Sequence, residues 1–226
     1  MSLGMYILYF ALLLIIPMWA QMKVKSAYSK YSKVPTQAQM TGAEVARKIL
    51  DDNGLDHVQI EAVRGQLTDH YDPRSKVVRL SEGNYSGRSM AATAVAAHEV
   101  GHAIQDAEEY TFLKFRTALV PVASFGSSSA IWIILAGMLL SMSNLILAGI
   151  IFMAFGVLFQ MVTLPVEFNA SSRAMDQLMR IGILERNEEK PTKKVLDAAA
   201  LTYVAAALVA VLELLRFVLI FLNSRD

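Results

Sequence analysis

Apolar residues along the 226-residue chain are concentrated in blocks that alternate with polar segments. The first block, residues 4–20, is uncharged and, at about 17 residues, is at the short end of the range for a membrane-spanning helix. A cleaved signal peptide is the alternative, but the block lacks a basic start, and Met18 stands where cleavage after Ala20 would need a small residue. We therefore interpret residues 1–22 as an N-terminal transmembrane anchor.

Residues 23–116 have the mixed polar and apolar pattern of a small folded unit. Thr41 followed by Glu44 is a capping box, which marks the start of a helix. The pair Asn53-Gly54 is a helix stop signal. Together these signals predict a helix over 42–53.

Alternation of apolar and polar residues predicts two strands after this helix, over 57–65 and 77–80. Between them lies the turn-rich stretch 68–73. Ser89 can cap a further, alanine-rich helix that continues to about Glu109. The predicted order is helix, strand, strand, helix.

Two long uncharged blocks, 117–140 and 145–166, follow and are joined by the short linker 141–144. Their length and composition predict a transmembrane helical hairpin over 117–166. A buried hairpin in a soluble protein is the alternative, but a chain of this size could hardly cover both apolar blocks.

Residues 167–197 are polar and predicted to be helical, with an interruption at Asn187–Pro191. The final segment, 198–226, is a transmembrane or interfacial helix that contains Glu213 and Arg216. Their i, i+3 spacing allows these two charges to pair on one helix face. The predicted fold is thus a mostly α membrane protein, with a zincin-like α+β catalytic unit fused to about four transmembrane helices.

Composition narrows the function classes. The formal net charge of +1 argues against a nucleic-acid partner, which usually meets a basic face. Cysteine is absent, so disulfides, thiolate metal sites and a cysteine nucleophile are excluded. A metal in this chain must be held by His, Asp or Glu, and only four His are present.

The sequence His98-Glu99-Val100-Gly101-His102 is the feature that indicates chemistry. Histidines at i and i+4 lie on one face of a helix, so both imidazoles can reach one zinc ion while Glu99 stands beside it to take a proton from water. Two incidental histidines are the alternative. The mid-helix position, the surrounding alanines and Gly101, which allows close approach of another segment, argue against it.

A catalytic zinc needs a third protein ligand and one open position. The extended motif that supplies this ligand just after the helix needs Gly at 105 and His or Asp at 108, where this chain has Gln105 and Glu108. Asp106 lies two turns from His98, about 12 Å along the helix axis, too far to share its metal easily. The third ligand must therefore come from elsewhere in the chain.

Glu167, at the end of the second hairpin block, is the strongest remaining candidate, with His57 and His70 as alternatives. The chain crosses the membrane twice between His102 and Glu167, so both return to the same side. Residues 21–116 carry thirteen Lys and Arg and residues 167–197 carry six, whereas the linker 141–144 carries none. The positive-inside rule therefore predicts that both polar segments are cytoplasmic.

Three stretches together resemble one family: residues 68–73 (TDHYDP), 96–105 (AAHEVGHAIQ) and 167–174 (EFNASSRA). They are similar to the bacterial neutral zinc metallopeptidases of the YugP type, and the resemblance runs over nearly the whole chain. The layout is also similar to the membrane gluzincins of the HtpX and CAAX-prenyl-protease group, which place a spanning hairpin between HExxH and a Glu ligand.

The resemblance implies His98, His102 and Glu167 as zinc ligands and Glu99 as catalytic base. In these relatives the Glu ligand is commonly followed four residues later by an Asp that supports the ligands. Ser171 occupies that position here, so the support of the ligands must differ.

The predicted activity is hydrolysis of peptide bonds by zinc-activated water, with Glu99 taking the proton and later delivering it to the leaving amine. The strand over 77–80 precedes the active helix and could bind an extended peptide by edge pairing. Candidates to stabilise the oxyanion are His70, Tyr71 and Arg173.

The expected protein is thus a multi-pass metallopeptidase of a bacterial cell membrane with a cytoplasmic active site. Its expected partners are a protein or peptide substrate, membrane lipid, and either a membrane partner protein or further copies of the chain. Two rival functions remain: a site-2-type intramembrane protease, which would need an Asp ligand in a later membrane helix, and a non-enzymatic membrane adaptor with a structural zinc. No Asp lies in the hairpin blocks 117–140 and 145–166.

Overall fold

The computed structural model describes residues 3–223. Residues 1–2, which begin the first predicted segment, and residues 224–226, which end the last one and include Arg225, lie outside the described residues. The protein is mostly helical, with one three-stranded sheet. The elements in chain order are α1 (Leu3–Tyr31), α2 (Gly42–Asp52), β1 (Gln59–Val63), β2 (His70–Asp72), β3 (Val77–Ser81), α3 (Glu82–Tyr85), α4 (Met90–Ala107), α5 (Thr111–Leu139), α6 (Ser143–Arg180) and α7 (Arg186–Asn223).

The chain forms two compact units, and α1, α6 and α7 each contribute to both. The first unit contains the chain up to Met18, Thr111–Pro165 and the chain from Tyr203 onward. The second contains Trp19–Tyr110 and Val166–Thr202, and therefore includes the whole sheet and α4.

Four helices, α1, α5, α6 and α7, are long and apolar enough to cross a membrane by length and composition. Large apolar side chains on these helices are exposed in the folded chain, for example Trp132 and Leu139 on α5. Exposed apolar surface of this extent on long helices is typical of contact with lipid. The protein is therefore a membrane-associated α+β protein.

The predicted caps at the starts of α2 and α4 are confirmed. The Thr41 hydroxyl accepts a hydrogen bond from Glu44 N, and the Glu44 carboxylate accepts one from Thr41 N, so the predicted capping box starts α2. The Ser89 hydroxyl likewise accepts a hydrogen bond from Ala92 N at the start of α4. Each cap satisfies a backbone donor that has no partner within its own helix.

The sheet has the order β1-β3-β2, with β3 parallel to β1 and antiparallel to β2. Strand β2 was not predicted, because its three residues lie in a stretch dominated by turn residues. The tight turn lies later than the predicted stretch 68–73: it covers 73–76, where the Asp72 carboxylate accepts hydrogen bonds from Arg74 N and Ser75 Oγ and closes a hairpin between β2 and β3.

The position of β3 also corrects an expectation about substrate binding. Residues 77–81 pair on both sides and form the centre of the sheet, so this strand has no free edge for a peptide. Among the described strands, β1 and β2 each pair with β3 alone and are the two edges of the sheet.

The core of the second unit lies between the sheet, α2, α4 and the end of α6. Ile49 of α2, Leu80 of β3, Val100 of α4 and Leu178 of α6 are all fully buried in one apolar cluster. Burial of large aliphatic side chains contributes roughly 1.5–3 kcal/mol each, so this cluster fixes α4 against the elements around it.

The predicted interruption at Asn187–Pro191 is wrong. Helix α6 ends instead at Arg180, and α7 begins at Arg186 and continues through Pro191. Gly182 has φ +70°, a left-handed conformation that a glycine adopts without a steric penalty, and Ile183 N donates back to Leu178 O. This glycine, rather than the proline, is the stop signal.

The predicted pairing of Glu213 with Arg216 is also wrong, since no ion pair joins them in the described part of the chain. The Arg216 guanidinium lies instead over three aromatic rings, 5.1 Å from the centroid of Tyr9, 5.2 Å from that of Phe10 and 5.4 Å from that of Phe217. Stacking on several ring faces stabilises a cation in apolar surroundings.

Candidate metal centre

Helix α4 presents its two histidines on one face, as their i, i+4 spacing requires. The His98 and His102 ring centroids are 4.8 Å apart and the rings are nearly perpendicular. Most of the remaining surface of α4 is buried and built of small residues: Ala91, Ala92, Ala94, Ala96, Ala97 and Ala103. Small side chains allow the neighbouring elements to approach the helix backbone closely.

Helix α6 approaches α4 closely at Gly101, the residue just before His102. A Cβ atom on Gly101 would lie 2.6 Å from the Ala170 carbonyl oxygen and 3.2 Å from Ala170 Cα. Glycine is therefore required for the two backbones to touch here. Glu167 lies three residues before Ala170 on α6, so this contact brings its side chain to the histidine face of α4.

The three side chains converge on one point. Glu167 Oε2 lies 3.3 Å from His98 Nε2 and 3.6 Å from His102 Nε2, and the three potential ligand atoms lie within 4.8 Å of one another. Atoms that bind one tetrahedral zinc ion at about 2.0–2.2 Å are separated by roughly 3.3–3.6 Å. The distances from Glu167 to the two histidines therefore fit a zinc ion, as does the donor set of two imidazoles and a carboxylate.

The opposite ring nitrogens of the two histidines have neutral partners. His102 Nδ1 lies 3.0 Å from Gln105 Oε1, and His98 Nδ1 lies 3.2 Å from Ser171 Oγ. Such contacts set the ring orientation and leave the Nε2 atoms facing Glu167. The hydroxyl of Ser171, four residues after Glu167, thus supports His98.

Burial governs the electrostatics of the cluster. Glu99 and Glu167 are 8% and 3% exposed. Burial raises the pKa of Glu99, although the charges of His98 and His102 partly offset this shift. Burial acts to lower the pKa of His102, but the negative charge of the nearby Glu167 carboxylate outweighs it and raises that pKa.

The alternative histidine ligands are not brought to the cluster. His57 and His70 are exposed, and neither belongs to the metal-binding group found among the described residues. The His70 ring instead contacts the backbone, with Nδ1 2.9 Å from the Thr68 carbonyl oxygen.

Asp106 and Tyr71 bind each other rather than the cluster. The Tyr71 hydroxyl donates to the Asp106 carboxylate at 2.7 Å, and Lys76 pairs with the same carboxylate. Burial and this hydrogen bond raise the pKa of Tyr71. The pair joins strand β2 to α4 and so positions the sheet beside that helix.

Arg173 of α6 contacts residues that follow the end of α4. Its Nε donates to Asn169 Oδ1 at 2.7 Å, and its guanidinium pairs with Glu108 at 2.7 Å. The guanidinium also lies 6.0 Å from the centroid of Tyr110. Through these contacts Arg173 links α6 to the end of α4.

Two residues near the cluster were not singled out as functional in the sequence. Gln105 was considered only as a departure from an extended motif, yet it contacts His102. Asp69 accepts hydrogen bonds from Ser81 N at 2.7 Å and Asn84 Nδ2 at 2.9 Å, and its charge raises the pKa of Glu99. The spacing of Gln105 three residues after His102, on the same helix face, was the signal that could have identified it.

The fold and the cluster together define a membrane-associated α+β protein with a candidate zinc centre. The chain belongs to the family described as "Putative neutral zinc metallopeptidase", whose family model matches residues 6–222. It is also 59% identical over 208 residues to "Putative membrane protease YugP" of Bacillus subtilis (strain 168), an alignment that covers 92% of each chain. No solved structure matches the chain. The cofactor of this family of peptidases is zinc, as the sequence analysis expected.

The contact of Gly101 with Ala170 yields a first prediction. A Gly101→Ala chain should bind zinc at least about tenfold more weakly and unfold at a lower temperature, because the added Cβ atom overlaps a backbone carbonyl and forces α6 away. Gly83→Ala is the matched control in the same unit, since its Cβ atom would meet only the Tyr28 hydroxyl at 3.8 Å. Zinc affinity by chelator competition and a thermal unfolding scan measure both effects. Equal behaviour of the two variants would show that the close crossing is not needed.

Proposed function

We propose that the chain is a membrane zinc endopeptidase in which His98, His102 and Glu167 hold the metal and Glu99 is the general base. The observation that supports this most directly is the approach of Glu167 Oε2 to both histidine Nε2 atoms, at 3.3 and 3.6 Å, across 65 or more residues of sequence. Three protein ligands leave one position of a tetrahedral ion open, which is typical of a catalytic zinc.

The residues of the chain have separate tasks in this proposal. Zinc, when bound, supplies the Lewis acidity that acidifies an attacking water and polarises the scissile carbonyl. The Glu99 carboxylate accepts the proton of that water and delivers it to the leaving amine. Its burial suits this task, because a carboxylate shielded from solvent exchanges its proton with the reacting groups rather than with bulk water.

The segment layout follows from the same proposal. Residues 23–116 and 167–197 form the zincin-like part, with the sheet beside the active helix α4 and the third ligand on α6. Residues 1–22, 117–166 and 198–226 are the membrane segments, with the last one spanning or lying at the interface. The apolar composition of α1, α5, α6 and α7 supports this layout.

We assign the substrate edge of the sheet to β2. It is an edge strand among the described strands, and the hydrogen bond from Tyr71 to Asp106 holds it directly against α4. An extended peptide that adds to this edge would lie along the active helix. The chain has no P-loop to power unfolding, so its substrates should be flexible or already unfolded segments.

The active site is proposed to face the cytoplasm. Nineteen of the 21 Lys and Arg residues lie in the two polar segments 21–116 and 167–197, and cytoplasmic loops carry such an excess. A structural zinc in a non-enzymatic adaptor is the rival function; it would need a fourth protein ligand, and none joins the group among the described residues.

Glu99→Gln is the direct test of the base. The variant should bind zinc as tightly as the wild-type chain but hydrolyse an unfolded peptide about a hundred- to ten-thousand-fold more slowly, because the amide cannot accept the proton. Peptide cleavage by the purified full chain in detergent measures this. A rate within tenfold of the wild-type value would refute Glu99 as the base.

Glu167→Ala tests the third ligand. Loss of this ligand should weaken zinc binding by more than about a hundredfold and abolish cleavage. That effect is larger than the one expected when a residue that only contacts a ligand is removed. Glu185→Ala, an exposed glutamate just before α7, is the control and should change neither property. If zinc affinity survives in Glu167→Ala, another residue completes the site.

Single cysteines test the proposed membrane topology. Because the chain has no cysteine of its own, any label reports on the introduced position alone. Cysteines at the exposed positions Asp56 and Glu189 should react with a membrane-impermeant maleimide only after the cells are opened. A cysteine at Met142, between α5 and α6, should react in intact cells. Labelling of Asp56 and Glu189 from opposite sides of the membrane would contradict the layout.

A further inference from the structure

Gln105 is a buried amide that joins the two helices of the candidate metal centre. Its side chain is fully buried. Its Nε2 donates to the Val166 carbonyl oxygen at 2.8 Å and to Asn169 Oδ1 at 2.9 Å, while its Oε1 lies 3.0 Å from His102 Nδ1. This one side chain therefore contacts a histidine of α4 and two residues of α6, one just before Glu167 and one two positions after it.

The orientation of this amide is dictated by groups that can only donate or only accept. The Val166 carbonyl oxygen can only accept, so the amide nitrogen of Gln105 must face it. The orientation of Asn169 is set in the same way, because Arg173 Nε can only donate and lies 2.7 Å from Asn169 Oδ1. The two α6 acceptors, the Val166 carbonyl oxygen and Asn169 Oδ1, must therefore face Gln105 Nε2. Gln105 Oε1 is then the atom that faces His102.

The same reasoning sets the tautomer of His102. An amide oxygen can only accept, so a hydrogen must lie on His102 Nδ1, and in the neutral imidazole the lone pair is then left on Nε2. Nε2 is the atom that faces Glu167 Oε2 at 3.6 Å. His98 differs, because the Ser171 hydroxyl at its Nδ1 can donate or accept and does not select a tautomer by itself.

We propose that Gln105 is a positioning residue that prepares His102 as a metal ligand before the metal arrives. It holds His102 in the Nδ1–H tautomer and at the same time fixes the turn of α6 that carries Glu167. This inference deepens the proposed function and rests on it for the identity of the ligands. Loss of such an outer partner typically weakens metal binding about 10- to 100-fold.

Two substitutions separate orientation from packing. Gln105→Met keeps an unbranched side chain of similar length but removes the acceptor and both donor contacts. Gln105→Glu keeps an oxygen acceptor for His102 and removes the amide donor to α6. Gln177→Met is the matched control: Gln177 lies on α6 in the same unit, and its amide bonds with Asn53 rather than with the metal cluster.

The tautomer is read from ¹⁵N signals of histidine in the full-length, metal-free chain in detergent, at a pH above the raised pKa of His102 so that the ring is neutral. A background with His57→Gln and His70→Gln leaves only His98 and His102, so the signals can be assigned. We expect the Nδ1–H form of His102 in the wild-type, Gln177→Met and Gln105→Glu chains, and a mixture of tautomers in Gln105→Met. Chelator competition should show a zinc Kd about 10- to 100-fold higher in Gln105→Met than in the control.

A Gln105→Met chain with the wild-type tautomer, or with a zinc Kd within threefold of the control, overturns the proposal. A Gln105→Glu chain that loses the Nδ1–H form overturns it as well, and this variant decides the question if the methionine variant does not fold. Because the tautomer is measured without metal, a wild-type chain that binds no zinc refutes the proposed function separately from the role of Gln105.

Discussion

The backbone contact between Gly101 of α4 and Ala170 of α6 is the constraint on which the candidate site depends. The two histidines need only a helix, but the carboxylate comes from another helix 65 residues away in sequence. Side chains of Glu and His are short, so their tips meet only if the two helix axes cross at small separation. A Cβ atom at Gly101 would overlap the Ala170 carbonyl, and glycine therefore makes the ligand distances of 3.3 and 3.6 Å attainable.

The carboxylates buried where α4 and α6 cross explain why binding of a cation there would be favourable. Glu99 and Glu167 are both buried, and burying a carboxylate is unfavourable unless a cation or several hydrogen bonds compensate it. Neutral imidazoles supply dipoles but no net positive charge. A divalent ion between His98, His102 and Glu167 would compensate both carboxylates and hold them where the proposed reaction needs them. Folding of this region and metal binding should therefore be coupled.

Features set by neighbouring residues could be predicted from the sequence, and features set by distant contacts could not. The caps at Thr41 and Ser89 are local hydrogen bonds, and both were predicted correctly. Strand β2 could not be predicted because its three residues form a strand only by pairing with β3. The pairing of Arg216 with Glu213 was wrong because Arg216 contacts aromatic rings that include those of another helix. Glu167 could be nominated by counting ligands and membrane crossings, whereas the amide network of Gln105 depends on residues more than 60 positions away and had no sequence signal beyond its spacing from His102.

X-ray absorption at the zinc edge of the purified, zinc-loaded chain identifies the atoms that bind the metal. We expect one zinc per chain with nitrogen and oxygen neighbours at about 2.0–2.2 Å and outer-shell scattering from two imidazoles. The same measurement on a Glu167→Ala chain loaded with excess zinc should lose one oxygen neighbour from the protein and keep both imidazoles. Scattering from three imidazoles, or an unchanged spectrum in the variant, would place the metal elsewhere and refute Glu167 as a ligand.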